Sequence, residues 1–128
     1  MGNKTITVFD HDIDRYEQIT NPVQEMLMKL GLSQNESKVY IYLNKNGSKK
    51  AKEIAQNQKI ARTQTYHLLT ELQNRGIVTV ISDRITKYEG IEFERVLDIL
   101  INNELKRIEE IQLMRSELSE LWKANFYK

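Results

Sequence analysis

Along most of this chain apolar side chains recur every three or four residues, the spacing of one helix face. The stripe Val23, Met26, Leu27 and Leu30 follows Asn21-Pro22, an N-cap residue beside a favoured first helical residue. Gln24 is placed to return a hydrogen bond to that cap, and Gly31 stops the helix. Ser33-Gln34-Asn35-Glu36 has the form of a capping box. It opens a second helix that turns Val39, Tyr40, Tyr42 and Leu43 inward, keeps Lys38 and Lys45 in solvent, and ends around Asn46-Gly47. Ser48-Lys49-Lys50 suits a short strand. Ala51 to Gln58 is a third helical segment with Ile54 and Ala55 as its buried pair. A tight turn then leads through Ile60 into a two-faced helix that closes at Arg75-Gly76, a basic last turn followed by a residue that must take positive φ. Its apolar face is Tyr66, Leu68, Leu69 and Leu72. Tyr66 is assigned to the core, where its hydroxyl needs a partner. Its polar face carries Arg62, Thr63, Gln64, His67, Glu71 and Asn74.

After Gly76 the period changes. Ile77-Val78-Thr79-Val80-Ile81 is rich in β-branched residues and predicts a strand. Ser82-Asp83-Arg84 predicts a turn, and Ile85 to Glu89 a second strand closed by Gly90. Two short helices, the second with an exposed polar start, describe a helix-turn-helix, and a hairpin directly behind it makes a wing. From Ile91 to about Asn125 there is neither Pro nor Gly. That is room for a helix of roughly 30 residues, about 45 Å long. Leu97, Ile101, Leu105, Ile108, Ile111, Met114, Leu118 and Leu121 form its stripe. One such helix cannot bury its stripe alone. A second copy of the chain would cover it, as a parallel or antiparallel coiled coil, and the plainer alternative is that it folds back on its own domain. Trp122, Phe126 and Tyr127 stand near its end. The expected fold class is therefore mostly α with a small β-hairpin: a winged helix-turn-helix plus a long C-terminal dimerisation helix.

Composition narrows the classes. The 128 residues are 40% hydrophobic and 29% charged, ordinary for one globular domain with an appendage. There is no cysteine, which excludes disulfides and thiol chemistry and fits a reducing interior. No signal peptide or membrane span is legible, so the expected location is the cytoplasm, associated with the nucleoid. The net charge of +1 conceals a gradient: residues 21–91 hold 11 Lys/Arg against 6 Asp/Glu. The flanks are acidic, 2 against 4 in residues 1–20 and 6 against 8 in residues 92–128. A basic middle points to a polyanionic partner. In the first 20 residues, Ile6, Val8 and Phe9 suit a strand or flap and Asp12 to Thr20 a helical turn or two. Asp10, Asp12 and Asp14 alternate like a calcium loop, but Arg15 stands where that loop needs Gly, so an acidic arm is the better reading. No Gly-rich phosphate loop, HExxH or nucleophile motif is present, and the two histidines are His11 and His67. An enzyme is not expected, nor any cofactor or metal.

Residues 27–91 resemble the TrmB-like archaeal transcription regulators. The resemblance rests on Leu30-Gly31-Leu32-Ser33 with Glu36 and Tyr40; on Gly47, Ala51 and Glu53-Ile54-Ala55; on Ile60, Arg62, Thr63 and Tyr66; and on Leu72, Gly76-Ile77-Val78 and Lys87-Tyr88. It implies a winged-helix domain that binds promoter DNA as a dimer, with the Arg62 helix in the major groove. Three departures stand out. Lys50 and Ala61 occupy places where a Thr cap and a Pro start are expected, the former costing about 1 kcal/mol. Asp83-Arg84 replaces a Gly-Arg-Pro-like wing turn. Full-length members carry a C-terminal sugar-binding domain, whereas this sequence stops after one long helix, so sugar sensing does not carry over.

The expected organisation is an acidic arm over residues 1–20, a winged helix-turn-helix over 21–91 and a dimerisation helix over 92–128. The expected function is sequence-specific transcription regulation by a homodimer on double-stranded DNA. The recognition helix 61–75 lies in the major groove and the hairpin 77–89 acts as wing. Arg62 is suited to guanine or phosphate, Gln64 to adenine, Thr63 to phosphate or a thymine methyl, and His67 lies one turn on. Lys49, Lys50 and Lys52 are placed for flanking phosphates, Arg84 and Lys87 for the minor groove or backbone. Two rival readings keep the fold: an architectural DNA-coating protein without strong sequence preference, and a protein-binding adaptor of the transcription machinery. Operator, target genes, direction of control and effector are not legible.

Overall fold

The computed structural model describes residues 12–82 and 84–127. Five helices and one hairpin follow in order: α1 Asp12–Lys29, α2 Gln34–Asn46, α3 Ala51–Gln58, α4 Arg62–Asn74, β1 Val78–Ser82, β2 Thr86–Gly90 and α5 Phe93–Phe126. This is a winged helix-turn-helix followed by a long helix. The chain divides into two compact units between Glu92 and Phe93.

In the first unit, the helix ends follow their local chemistry. The Ser33 hydroxyl accepts from the Glu36 N–H at 3.0 Å, and the Glu36 carboxylate accepts from the Ser33 N–H at 2.8 Å. That is the capping box expected for α2. α1 and α4 both end in a glycine at positive φ, Gly31 at 106° and Gly76 at 78°. After each glycine the next N–H reaches five residues back into the helix: Leu32 to the Leu27 carbonyl at 3.0 Å, Ile77 to the Leu72 carbonyl at 2.9 Å. Leu27, Leu72 and Ile77 are themselves fully buried, so each helix stop also packs the core. That core also holds Val39, Tyr40 and Leu43 of α2, Ile54 of α3, Leu69 of α4 and Val78 of β1.

β1 and β2 pair antiparallel, with Val78 opposite Gly90 and Ser82 opposite Thr86. Lys49 adds the expected short third strand as a single bridge. Its N–H donates to the Tyr88 carbonyl at 3.0 Å, and the Tyr88 N–H donates to the Lys49 carbonyl at 2.8 Å.

Several expectations are corrected. Helix α1 does not start at Asn21-Pro22; it starts at Asp12 and carries Pro22 inside it. The spacing Ile13, Tyr16, Ile19 continues in phase with Val23, Leu27 and Leu30, so one helix spans both halves. Proline removes one ladder hydrogen bond without ending it. Within the α1 stripe, Leu27 is buried but Met26 is 41% exposed. The hairpin is shifted by one residue: Ser82 pairs as strand and Ile85 falls in the turn, 51% exposed. Asp12 and Asp14 lie in helix, not in a loop that could wrap a cation. The proposed strand at Ile6, Val8 and Phe9, and with it Asp10, His11 and the wing-turn Asp83, lie outside the described residues.

The second unit is α5 alone, 34 residues long. Its first turns bury Val96 and Leu100, and Leu97 is half-buried. No helix among the described residues is long and apolar enough to cross a membrane.

Candidate nucleic-acid interface

α4 is set by its buried face. Thr65, Leu68, Leu69 and Leu72 are buried, the i, i+3, i+4, i+7 pattern of one helix side. The hydroxyl of Thr65 donates to the Ala61 carbonyl at 3.0 Å and its N–H to the same oxygen at 2.8 Å, so this polar residue enters the core satisfied. Tyr66 is the correction here. It was expected in the core, yet it is 45% exposed, because it stands one residue out of phase with the buried quartet. The aromatic ring suggested burial more strongly than the threonine did, and phase rather than residue type decided the outcome.

With that face inward, Arg62, Thr63, Gln64 and His67 are all exposed. They are not scattered. Arg62, Thr63, Tyr66, His67, Thr70 and Glu71 line one shallow concave surface. Gln64 and His67 line a second together with Ser33, Gln34, Asn35 and Glu36 at the start of α2. Arg62 also borders a third with Lys52, Gln56 and Lys59 from α3 and the turn. His67 joins the first two concavities and Arg62 joins the first and third.

Charge is graded along this face. Arg62, Lys52 and Lys59 stand at the α4 N-terminus, where the helix dipole is also positive and no side chain caps the helix. Glu71 lies further along and would repel a phosphate there. The far end of α4 is structural: Arg75 pairs with Glu36 at 3.7 Å, with both side chains largely shielded. Anion attraction is thus concentrated on the first turn.

A second basic group forms elsewhere. The Glu53 carboxyl sits below the usual carboxylate range, chiefly because it accepts the Lys50 N–H at 2.9 Å, and also because Lys49, Lys50 and Lys87 lie around it. That hydrogen bond keeps half of a capping box at α3, although Lys50 supplies no capping oxygen. The Lys49–Tyr88 bridge brings Lys49, Lys50 and Lys87 together, with one negative charge among them. Arg84 is exposed in the wing turn and is not among the charges acting on Glu53.

Two residues of this surface were not foreseen. Tyr66 adjoins the wing: burial raises the Tyr88 hydroxyl's pKa, and the nearby Tyr66 raises it further. Lys59 takes the left-handed conformation, φ 57° and ψ 47°, and its N–H closes α3 on the Ala55 carbonyl. The signal for it was the tightness of the turn, which requires one residue at positive φ between the two helices.

Residues 27–94 match the family model described as "Sugar-specific transcriptional regulator TrmB". A curated relative, the HTH-type sugar sensing transcriptional regulator TrmBL1 of Pyrococcus furiosus, is 27% identical over 83% of this chain. The chain spans 34% of that relative's length. Among solved structures, the archaeal chromatin protein TrmBL2, described as showing a novel mode of DNA binding, superposes with a TM-score of 0.68. It is 22% identical and is matched over 83% of this chain and 42% of its own. A possible transcriptional regulator from Methanosarcina mazei Go1 superposes with a TM-score of 0.58 at 8% identity, over 88% of this chain and 98% of its own. At these identities the structural likenesses establish the winged-helix fold.

Proposed function

The chain belongs to the TrmB family of transcriptional regulators, and from that premise we propose that it is a sequence-specific DNA-binding regulator acting as a homodimer. The observation that carries the reading is the α4 face: Arg62, Thr63, Gln64 and His67 exposed together on joined concave surfaces, with Lys52 and Lys59 beside the helix start. The first turn of α4 enters the major groove. Arg62 pairs with guanine or a phosphate, Gln64 reads adenine, Thr63 takes a phosphate or a thymine methyl, and His67 follows one turn behind. Lys49, Lys50 and Lys87 approach flanking phosphates, and Arg84 reaches the backbone or minor groove from the wing turn. Two copies, joined through α5, address half-sites about 34 Å apart.

The test is binding to random and selected duplexes across a salt series. Affinity should fall about a thousand-fold between about 50 and 200 mM salt as counterions are released. Absence of binding at low salt would leave the adaptor reading. Binding with no enriched palindrome would favour an architectural protein. Arg62→Ala should cost about 1–3 kcal/mol of specific binding and leave the thermal midpoint nearly unchanged. A large loss of stability would instead make Arg62 a structural residue.

A further inference from the structure

Past Leu100, α5 exposes every large apolar side chain it has, from Ile101 at 40% to Leu113 at 69%. Part of this surface follows a strict heptad seam, at positions 97, 101, 104, 108, 111, 115, 118 and 122. Two seam positions are charged and of opposite sign: Glu104 and Arg115. A charge in a coiled-coil seam weakens the pair and specifies its register and orientation.

The two orientations treat these charges differently. In a parallel pair each layer sets a residue against its own copy. Glu104 would meet the partner's Glu104, and Arg115 the partner's Arg115, two like-charge layers. In an antiparallel pair centred between Glu109 and Glu110, Ile108 meets the partner's Ile111 and Ile101 meets the partner's Leu118. Leu97 meets the partner's Trp122, and Glu104 meets the partner's Arg115. Every one of these layers is then apolar on apolar or acid on base.

The flanking positions do not oppose this. The seam's two neighbouring rows carry one charge each between positions 98 and 126, Asp98 on one side and Arg107 on the other. Neither row therefore places like charges together in the antiparallel register. Glu104 already accepts from Arg107 at 2.7 Å along its own helix. A carboxylate accepts from more than one donor, so that bond is compatible with a second arginine across the seam.

We propose that α5 pairs antiparallel with α5 of a second copy of this chain, centred between Glu109 and Glu110, with each Glu104 against the partner's Arg115. The proposal rests on the dimer reading above and fixes what that reading leaves open, the orientation and register of the pair.

The chain has no cysteine, so single cysteines report the geometry directly in the full-length protein. Ile101→Cys and Leu118→Cys should each fail to cross-link alone under mild oxidation and should cross-link to one another when mixed. Efficient cross-linking of each variant with itself means a parallel pair and overturns the proposal. A charge exchange, read by sedimentation equilibrium, provides an independent check on lightly substituted chains. Glu104→Arg or Arg115→Glu alone should weaken dimerisation by about tenfold or more, and the double exchange should restore it. No restoration overturns the proposed register. A monomer at tens of micromolar overturns pairing altogether. DNA binding by any of these variants is scored separately, so loss of the α5 proposal and loss of the DNA-binding reading give different patterns.

Discussion

The Tyr40 hydroxyl donates to the Ile91 carbonyl at 2.6 Å, joining the middle of α2 to the residue that follows the wing. The backbone there is close: a Cβ on Gly90 would stand 2.5 Å from the Asn44 side-chain oxygen and 3.3 Å from the Tyr40 ring. Tyr40 and Gly90 together therefore set where the hairpin leaves the domain. Burial, assisted by the charge of Glu92 and opposed by a hydrogen bond with Asn44, pushes the Tyr40 pKa up to about 12. The sign of its linkage follows. The folded chain holds this proton more tightly than the unfolded chain, whose tyrosine titrates near 10. Its contribution is whole below pH 10 and is lost as the pH rises through about 12. Tyr40→Phe should destabilise the neutral protein by about 1 kcal/mol, from the lost bond and the carbonyl left behind. It should also lose less stability than the parent between pH 10 and 12. Urea unfolding at neutral and alkaline pH measures both. Parallel alkaline limbs for parent and variant would show that this hydroxyl is not held as described.

At the scale of elements, the turn from α3 to α4 gives a prediction with two opposed readouts. Lys59 sits at φ 57°, a conformation that costs a residue with a Cβ about 1 kcal/mol and costs glycine little. Lys59→Gly should stabilise the fold by about 0.5–1 kcal/mol in urea unfolding. The same change should weaken DNA binding and reduce the salt slope by about one, since a cation beside Arg62 is removed. A fall in stability would refute the backbone argument, and an unchanged slope would remove Lys59 from the interface. Most elements were legible because local chemistry and tertiary packing agree. The Ser33–Glu36 box, the Gly31 and Gly76 stops and the β-branched run at 77–81 each have one low-energy local solution. The N-terminal start was misread because Asn21-Pro22 carries a strong local signal while the helical spacing runs through it. The face of α4 was legible for Arg62, Thr63, Gln64 and His67 because polar side chains with no buried partner must turn outward. It was not legible for Tyr66, whose ring suits either side, nor for the gathering of Lys49, Lys50 and Lys87, which depends on a bridge between residues 39 positions apart.

For the whole molecule, the charge gradient and the α5 stripe act on the same equilibrium. Residues 21–91 carry the basic excess, and residues 92–128 carry more acids than bases. On the proposed reading, DNA attraction resides in one part of the chain and self-association in the other. A helix of 34 residues with its apolar side chains half exposed gains little from packing by itself. Association that buries this stripe therefore adds to the stability of the folded state, and by mass action it does so more at higher concentration. The thermal midpoint should rise with chain concentration, by several degrees between about 1 and 100 µM, given the steep dependence of midpoint on free energy in domains of this size. Arg62→Ala should show the same rise, because it leaves α5 untouched, whereas Glu104→Arg should flatten it. Calorimetry or circular dichroism at a series of concentrations measures the effect. A midpoint independent of concentration in the parent chain would mean that α5 is stable without a partner, and the dimer would then have to be removed from the account of how this protein reaches DNA.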